Sequence, residues 1–393
     1  RGLVGSEMCI RDRYITMLLS FAAMIRAAAT RSGLFRMYST SSAITVPSVM
    51  RAITIENGKG PSSALRIEQV PTPTLSAEDT TPHVLVKVRA FGLNRMDLMQ
   101  REGQYPIPPG ASPIMGVEFS GEVAALPQHG PPNLNLGDAV FGLAHGGAYA
   151  EYIRVPASMI WKKDAVMSWE QAAAVPEAYI TALQALHTLS NLNKGEDVLI
   201  HAGASGVGLA AIQLAKYLGA RNVYVTAGTT EKIARCKQLG ATDGFNYKTQ
   251  DWAAELKRVT EGKGVDVIMD FIGAAYFNNN LASLRLDGRM TMQAFLGGIK
   301  LPEGVNIAPM LTRRLRIEGS TLRSRTVEYQ AQQAHAFERL GCIDALLRGV
   351  RGDTSHNALQ IILHKVWDWH EIKEAHDYMA ANQNIGKMVA VIS

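Results

Sequence analysis

The stretch Val198-Leu199-Ile200-His201-Ala202-Gly203-Ala204-Ser205-Gly206-Val207-Gly208 decides the fold. Three apolar residues form a strand that runs into a glycine-rich turn. The segment from Gly208 to Leu218 then sets Val207, Ala211, Leu214 and Leu218 on one helical face, and Gly219 ends it as a left-handed cap. A strand, a tight turn and a helix N-terminus make an anion cradle, because unpaired N–H groups and the helix dipole both face the same point. The pattern is that of a pyrophosphate loop, with Ser205 standing where a dinucleotide fingerprint usually has its second glycine.

Downstream context strengthens the reading. Residues Asn222 to Thr226 form a second strand, one βαβ unit further on, and its tip reads Ala227-Gly228-Thr229-Thr230-Glu231-Lys232. A site for NAD normally places a carboxylate at that tip to hold the ribose 2′-hydroxyl. Small residues followed by Lys232 instead suit a 2′-phosphate, hence NADPH. The alternative for Lys232 is a solvated lysine at a helix start.

Composition sets the outer limits. The 393 residues are 47% hydrophobic and 19% charged, which describes a globular protein with room for two domains. Cys9, Cys236 and Cys342 are far apart and form neither a C-x-x-C pair nor a disulfide framework. The sequence pI of 9.0 suggests nucleic acid until the charge is located. Residues 1–46 carry six arginines against two acids, so +4 of the net +5 belongs to the leader. The near-neutral body argues against a nucleic-acid partner.

Between Arg13 and Ile55 there is no acidic residue, while Arg26, Arg31 and Arg36 lie among Ala, Ser and Thr. That is the composition of a mitochondrial transit peptide, with Arg36-Met37-Tyr38-Ser39 resembling its cleavage site. The expected location is the mitochondrial matrix, or the cytoplasm if the leader does not function. Its apolar run is too short to span a membrane. Residues 1–16 precede a plausible start at Met17 and are read as foreign to the natural protein.

The body divides in texture. Residues 50–56, 64–70, 84–91, 116–125, 138–143 and 148–155 read as strands, and the four prolines between Gly103 and Pro113 impose a loop. Helices are expected at 169–174 and 179–189, and strands at 265–271, 289–295 and 387–392, the last returning to the first domain. The fold class is α/β: a Rossmann-type doubly wound parallel sheet plus a β-rich domain. The expected boundaries are a leader at 1–48, a catalytic domain at 49–175 and 322–393, and a dinucleotide-binding domain at 176–321.

Specific motifs sharpen this. Gly92-Leu93-Asn94-Arg95-Met96-Asp97, Gly103-Gln104-Tyr105-Pro106, Pro176-Glu177-Ala178, Gly244-Phe245-Asn246-Tyr247-Lys248 and Asn384-Ile385-Gly386-Lys387 resemble the zinc-free quinone oxidoreductase branch of the medium-chain dehydrogenase/reductase superfamily. Within it they are similar to the tumour-suppressor-inducible quinone oxidoreductases of animals. The resemblance implies a GroES-like catalytic domain, NADPH as cofactor, a quinone or enone as small-molecule substrate and a homodimer joined through the nucleotide domain. It further implies that Gly203, Ser205, Gly206, Val207, Gly208 and Gly228 hold the coenzyme phosphates and their approach. Lys232 and Tyr247 would meet the 2′-phosphate. Gly273, Phe295, Leu296 and Gly297 would line the nicotinamide side, with Asn384 closing it.

Zinc-dependent members place Cys and His at the positions aligned to Asn94 and Val117, and neither side chain here can replace a thiolate or imidazole on zinc. No metal site is expected. His145, His187 and His201 lack ligand spacing and read as structural. Without a Lewis acid, the accessible reaction is hydride delivery to an already electron-poor acceptor. Tyr105 is the candidate hydrogen-bond donor to the developing oxyanion. Asn94 and Thr181 are candidates for substrate or nicotinamide contact, and Asp97 for bracing the helix start. Two rivals remain: a mitochondrial enoyl-thioester reductase of the same superfamily, and a non-catalytic NADPH-binding structural or sensor protein.

Overall fold

The computed structural model describes residues 45–393 apart from 77, 78, 80 and 129. The transit-peptide reading and that of residues 1–16 fall outside the described residues. Strand β1 (Val49–Ile55) pairs antiparallel with β2 (Leu65–Pro71). Strands β3 (His83–Leu93), β4 (Glu118–Ala125), β5 (Ala139–Leu143), β6 (Tyr152–Pro156) and β7 (Ile160–Lys162) belong to a larger, mostly antiparallel sheet.

Next come β8 (Asp197–Ile200), β9 (Asn222–Ala227), β10 (Asp243–Asn246), β11 (Val265–Asp270), β12 (Leu284–Met292) and β13 (Arg316–Gly319). All their pairings are parallel, in the order β10-β9-β8-β11-β12-β13. The order reverses between β8 and β11, which opens a crevice at the carboxyl ends of those two strands. Every residue of β8 is buried, as a strand covered on both faces requires. Val198 and Ile200 join the cluster under the helix Gly206–Tyr217, while Leu199 joins the one under Trp252 and Leu256.

The last strands, β14 (Leu363–Asp368) and β15 (Lys387–Val391), enter the first sheet, where β15 runs antiparallel to β3 with Met388 opposite Leu93. That pairing sets Lys387, at the start of β15, beside Asn94, just past the end of β3, where both face the crevice.

Three local expectations change. The strand expected at 289–295 spans Leu284–Met292. Past Met292 the chain leaves the sheet and bonds back across it, Gln293 N–H to Asp270 O at 2.7 Å. The strand expected at 148–155 is confined to Tyr152–Pro156, because Tyr149 turns inward and its backbone bonds Met115 O and Ile53 N–H. The helix expected at 179–189 begins at Pro176, which fits the first helical position, and widens into a π-helix over Gln184–Leu189.

Candidate active site

A cleft of about 570 Å3 lies over the crevice. Its floor includes Ser205, Gly206 and Val207. Ser205 caps the helix Gly206–Tyr217, its Oγ accepting from Gly208 N–H at 3.0 Å. The N–H groups of Gly206 and Val207, in the first turn, have no partner within the helix.

The glycines here do different work. A methyl at Gly206 would stand 2.5 Å from Lys387 Cδ, so Gly206 admits the lysine stem beneath the turn. Gly208 lies against Ala202 O and Gly203 O, and Gly203 against Val225. These two permit close packing of turn, helix and strand and do not line the cleft.

At one end of the cleft stand Gly228, Lys232, Tyr247 and Arg95. A side chain at Gly228 would meet the Tyr247 hydroxyl at 2.8 Å, so the glycine lets that ring lie over the tip of β9. Lys232 Nζ donates to Asn382 O at 2.7 Å, and Arg95 Nη2 donates to Asn382 Oδ1 at 2.5 Å. Burial, then Lys248 and Arg95, pull the Lys232 ammonium below its ordinary pKa. Cations crowded in this way make the local potential favourable to an anion by Coulomb's law.

Beneath the middle of the cleft is a buried charge cluster drawn from five elements. Lys387 Nζ donates to Glu118 Oε1, to Asn94 Oδ1 at 2.8 Å and to Leu93 O at 3.0 Å. Asn94 Nδ2 donates to Glu118 Oε1 at 2.8 Å, and Glu177 N–H donates to Glu118 Oε2 at 2.8 Å. Asp97 Oδ2 accepts from Asn94 N–H at 2.8 Å and from the Tyr149 hydroxyl at 3.0 Å, bracing the start of the helix Arg95–Arg101. Burial pushes the Asp97 carboxyl up to about 6. Burial and the neighbouring Glu118 push Glu177 up to about 7, and the Thr181 hydroxyl reaches Glu177 Oε1 at 3.3 Å.

Tyr105 is half-buried on the proline-rich loop, its ring 5.6 Å from the Arg323 guanidinium carbon. Burial holds its phenol above the ordinary range, with Glu177 adding and Arg323 opposing. Arg323 is fixed by Gln100 Oε1 at 2.6 Å and His145 O at 2.8 Å. Neither Tyr105 nor Thr181 lines the cleft. On the far wall Leu296 and Gly297 do line it, together with Ile272 and Tyr276. Gly273 and Phe295 stand behind them: Phe295 is 53% exposed, and its ring would lie 2.6 Å from a methyl on Gly273. Asn384 lines the cleft and donates to Gly386 O at 2.9 Å.

The sequence reading assigned no role to Glu118, Glu177, Lys387, Arg95, Arg323 or Tyr276. The signal in reach was Lys387 within the quoted Asn384–Lys387 motif, and the Glu that follows Val117. Of the histidines, His201 is held by Thr226 Oγ1 at 2.9 Å and Asn280 Oδ1 at 2.8 Å, and His145 by Gln330 at 2.7 Å. Among the described residues no group of three or more His, Cys, Asp or Glu side chains could hold a metal ion, and no helix is long and apolar enough to cross a membrane.

Residues 206–337 match the zinc-binding dehydrogenase family, and residues 80–165 match the alcohol dehydrogenase GroES-like domain. The chain is 30% identical over 315 residues to the synaptic vesicle membrane protein VAT-1 homolog of Rattus norvegicus, covering 78% of this chain and 76% of that protein. It is 30% identical over 345 residues to a quinone oxidoreductase of Lama guanicoe, covering 88% and 98% respectively. A mycobacterial structure complexed with NADPH superimposes with a TM-score of 0.73 at 29% identity, covering 87% of this chain and 99% of that one. With this coverage, the all-parallel six-stranded sheet and the GroES-like domain, the chain belongs to the medium-chain dehydrogenase/reductase superfamily.

Proposed function

We propose that this oxidoreductase is an NADPH-dependent, metal-independent reductase of quinones or related conjugated carbonyls. The observation that carries the reading is one cleft joining a helix-start anion cradle, a cationic end and a buried polar cluster. The cradle suits a pyrophosphate, and the crowding of Lys232, Lys248 and Arg95 suits a further phosphate on the ribose. When bound, the reduced dinucleotide supplies a hydride to the acceptor.

The protein's share is to position and to stabilise. Asn94 and Lys387 meet the cleft from below, and their bonds to each other and to Glu118 fix both head groups before any ligand arrives. The Asn94 amide is engaged on both its oxygen and its nitrogen by organic partners. Val117 is 1% exposed within the core. Both arrangements support chemistry without zinc at this point. Tyr105, on the adjoining loop, supplies a hydrogen bond to the oxygen where charge develops.

Purified protein should oxidise NADPH with 1,2-naphthoquinone and much more slowly with crotonyl thioester. Turnover of the thioester alone would favour the enoyl reductase reading. Lys232→Ala should weaken NADPH binding by roughly 10- to 100-fold while leaving NADH unchanged, since one charge-assisted contact contributes about 1.5–3 kcal/mol.

Two further features belong to the same proposal. The outer edge of β13 ends the parallel sheet, and Leu311 and Ile307 nearby are 83% and 62% exposed. Both suit a second copy of the chain there, which sedimentation analysis would test. The leader directs the chain to the mitochondrial matrix; a reporter fused to residues 17–48 that stayed cytosolic would refute this.

A further inference from the structure

Reduction of a quinone or conjugated carbonyl by hydride leaves the acceptor oxygen short of one proton, and that proton needs a source inside the site. Three buried carboxyl groups surround the cluster. Glu118 and Asp97 are 0% exposed, whereas Glu177 keeps 7% and Thr181 keeps 8%. Glu177 and Thr181 therefore keep a small exposure that Glu118 and Asp97 lack, although neither lines the cleft.

The three carboxyls also differ in partners. Glu118 has the Lys387 ammonium, the Asn94 amide and the Glu177 N–H. Asp97 Oδ2 takes two donors, Asn94 N–H and the Tyr149 hydroxyl. Among the described residues Glu177 has one long contact, with the Thr181 hydroxyl one helical turn on, and no cation of its own. A desolvated carboxyl so poorly matched, beside a carboxylate whose cation is already engaged, keeps its proton.

We propose that Glu177 is the proton store of the site and that Thr181 passes its proton to the acceptor oxygen. The inference rests on the reductase reading above. As the new C–H bond forms, the carbonyl π pair moves onto oxygen. That oxygen takes the Thr181 hydroxyl proton, the Thr181 oxygen takes the Glu177 carboxyl proton, and water later reprotonates the carboxylate. The acceptor gains the two electrons of the hydride and one proton, so no other reductant is required. With Glu177 protonated, the 3.3 Å contact runs from carboxyl to hydroxyl, which frees the Thr181 hydrogen for the acceptor.

The groups facing Glu177 are Glu118 on β4, Lys387 on β15, Asp97 on the helix after β3, Tyr105 on the following loop and Arg323 after β13. Burial and Glu118 keep the proton on, Lys387 opposes, and the carboxyl titrates at about 7. Turnover should therefore fall as pH rises through that value.

Two measurements test the proposal. Infrared difference spectra of the coenzyme-free protein should show a protonated-carboxyl band that bleaches as pH rises through about 7 and is missing in Glu177→Gln. Steady-state kinetics should show kcat lowered ~100-fold in Glu177→Gln, the usual scale of a lost general acid, with NADPH affinity within about twofold and the pH dependence flattened. Thr181→Val should lose a similar factor while keeping the infrared band, and Thr181→Ser should restore turnover. Absence of the band at neutral pH, or wild-type kcat in either Glu177→Gln or Thr181→Val, overturns the relay and leaves the reductase reading standing. Absence of NADPH-dependent reduction in the wild type overturns both, whatever the infrared band shows.

Discussion

Glu177→Gln should make the protein more stable at neutral pH while impairing it as an enzyme. The carboxyl titrates at about 7 in the fold against 4.5 for an ordinary glutamate. Because the folded state holds this proton to higher pH than the unfolded chain does, the slope of stability with pH is negative between those values. The folded state suffers no loss from this group below pH ~4.5, loses about 1.4 kcal/mol per pH unit above it, and has lost about 3 kcal/mol by pH ~7. Glutamine keeps the shape and a hydrogen-bonding head but carries no titratable proton, so the variant escapes the loss.

Equilibrium urea unfolding of both proteins at intervals from pH 4.5 to 8.5 measures the effect. The two should be alike at the acid end and separate by about 3 kcal/mol above pH ~7, with the variant the more stable. At about 2.1 cal/mol/K per residue over roughly 350 residues, the unfolding entropy is about 0.7 kcal/mol/K, so the melting temperature should rise by about 4 °C. Contributions from Asp97 and other carboxyls are shared by both proteins and cancel in the difference. A stability difference that does not change with pH, or a variant less stable than wild type at pH 8, would refute the protonation argument whatever the kinetics show.

Other substitutions probe the neighbouring geometry. Lys387→Met leaves the fully buried Glu118 without its cation and should cost about 3–5 kcal/mol, read as a lowered urea midpoint. Gly206→Ala should weaken NADPH binding at least ~10-fold in a fluorescence titration, an effect of about 1.4 kcal/mol. The added methyl meets a lysine stem whose head is pinned by Glu118, Asn94 and Leu93 O and cannot swing aside. Tyr105→Phe should lower kcat less than Glu177→Gln does, because a phenol held above its ordinary range keeps its proton and contributes a hydrogen bond alone. A larger loss in Tyr105→Phe would make the tyrosine the proton source.

Much of this molecule is legible in its sequence because the relevant physics is local. The turn at 202–208 needs only neighbouring glycines, a serine cap and a following apolar stripe. The continuous apolar runs of β8 and β11 announce a parallel sheet because both their faces are covered. Lys232, in the first turn of the helix after β9, was singled out from the strand tip before it, whereas Tyr247 was singled out only by resemblance; both line the cleft. What only the tertiary structure decided is the cluster under the cleft. Lys387 reaches Asn94 across 293 positions and Glu118 across 269, and Glu177 meets Glu118 across 59. No periodicity encodes those meetings. They follow from β15 pairing with β3, which places a buried lysine beside an asparagine and two glutamates and gives the cation to Glu118 while the Glu177 carboxyl finds only the Thr181 hydroxyl.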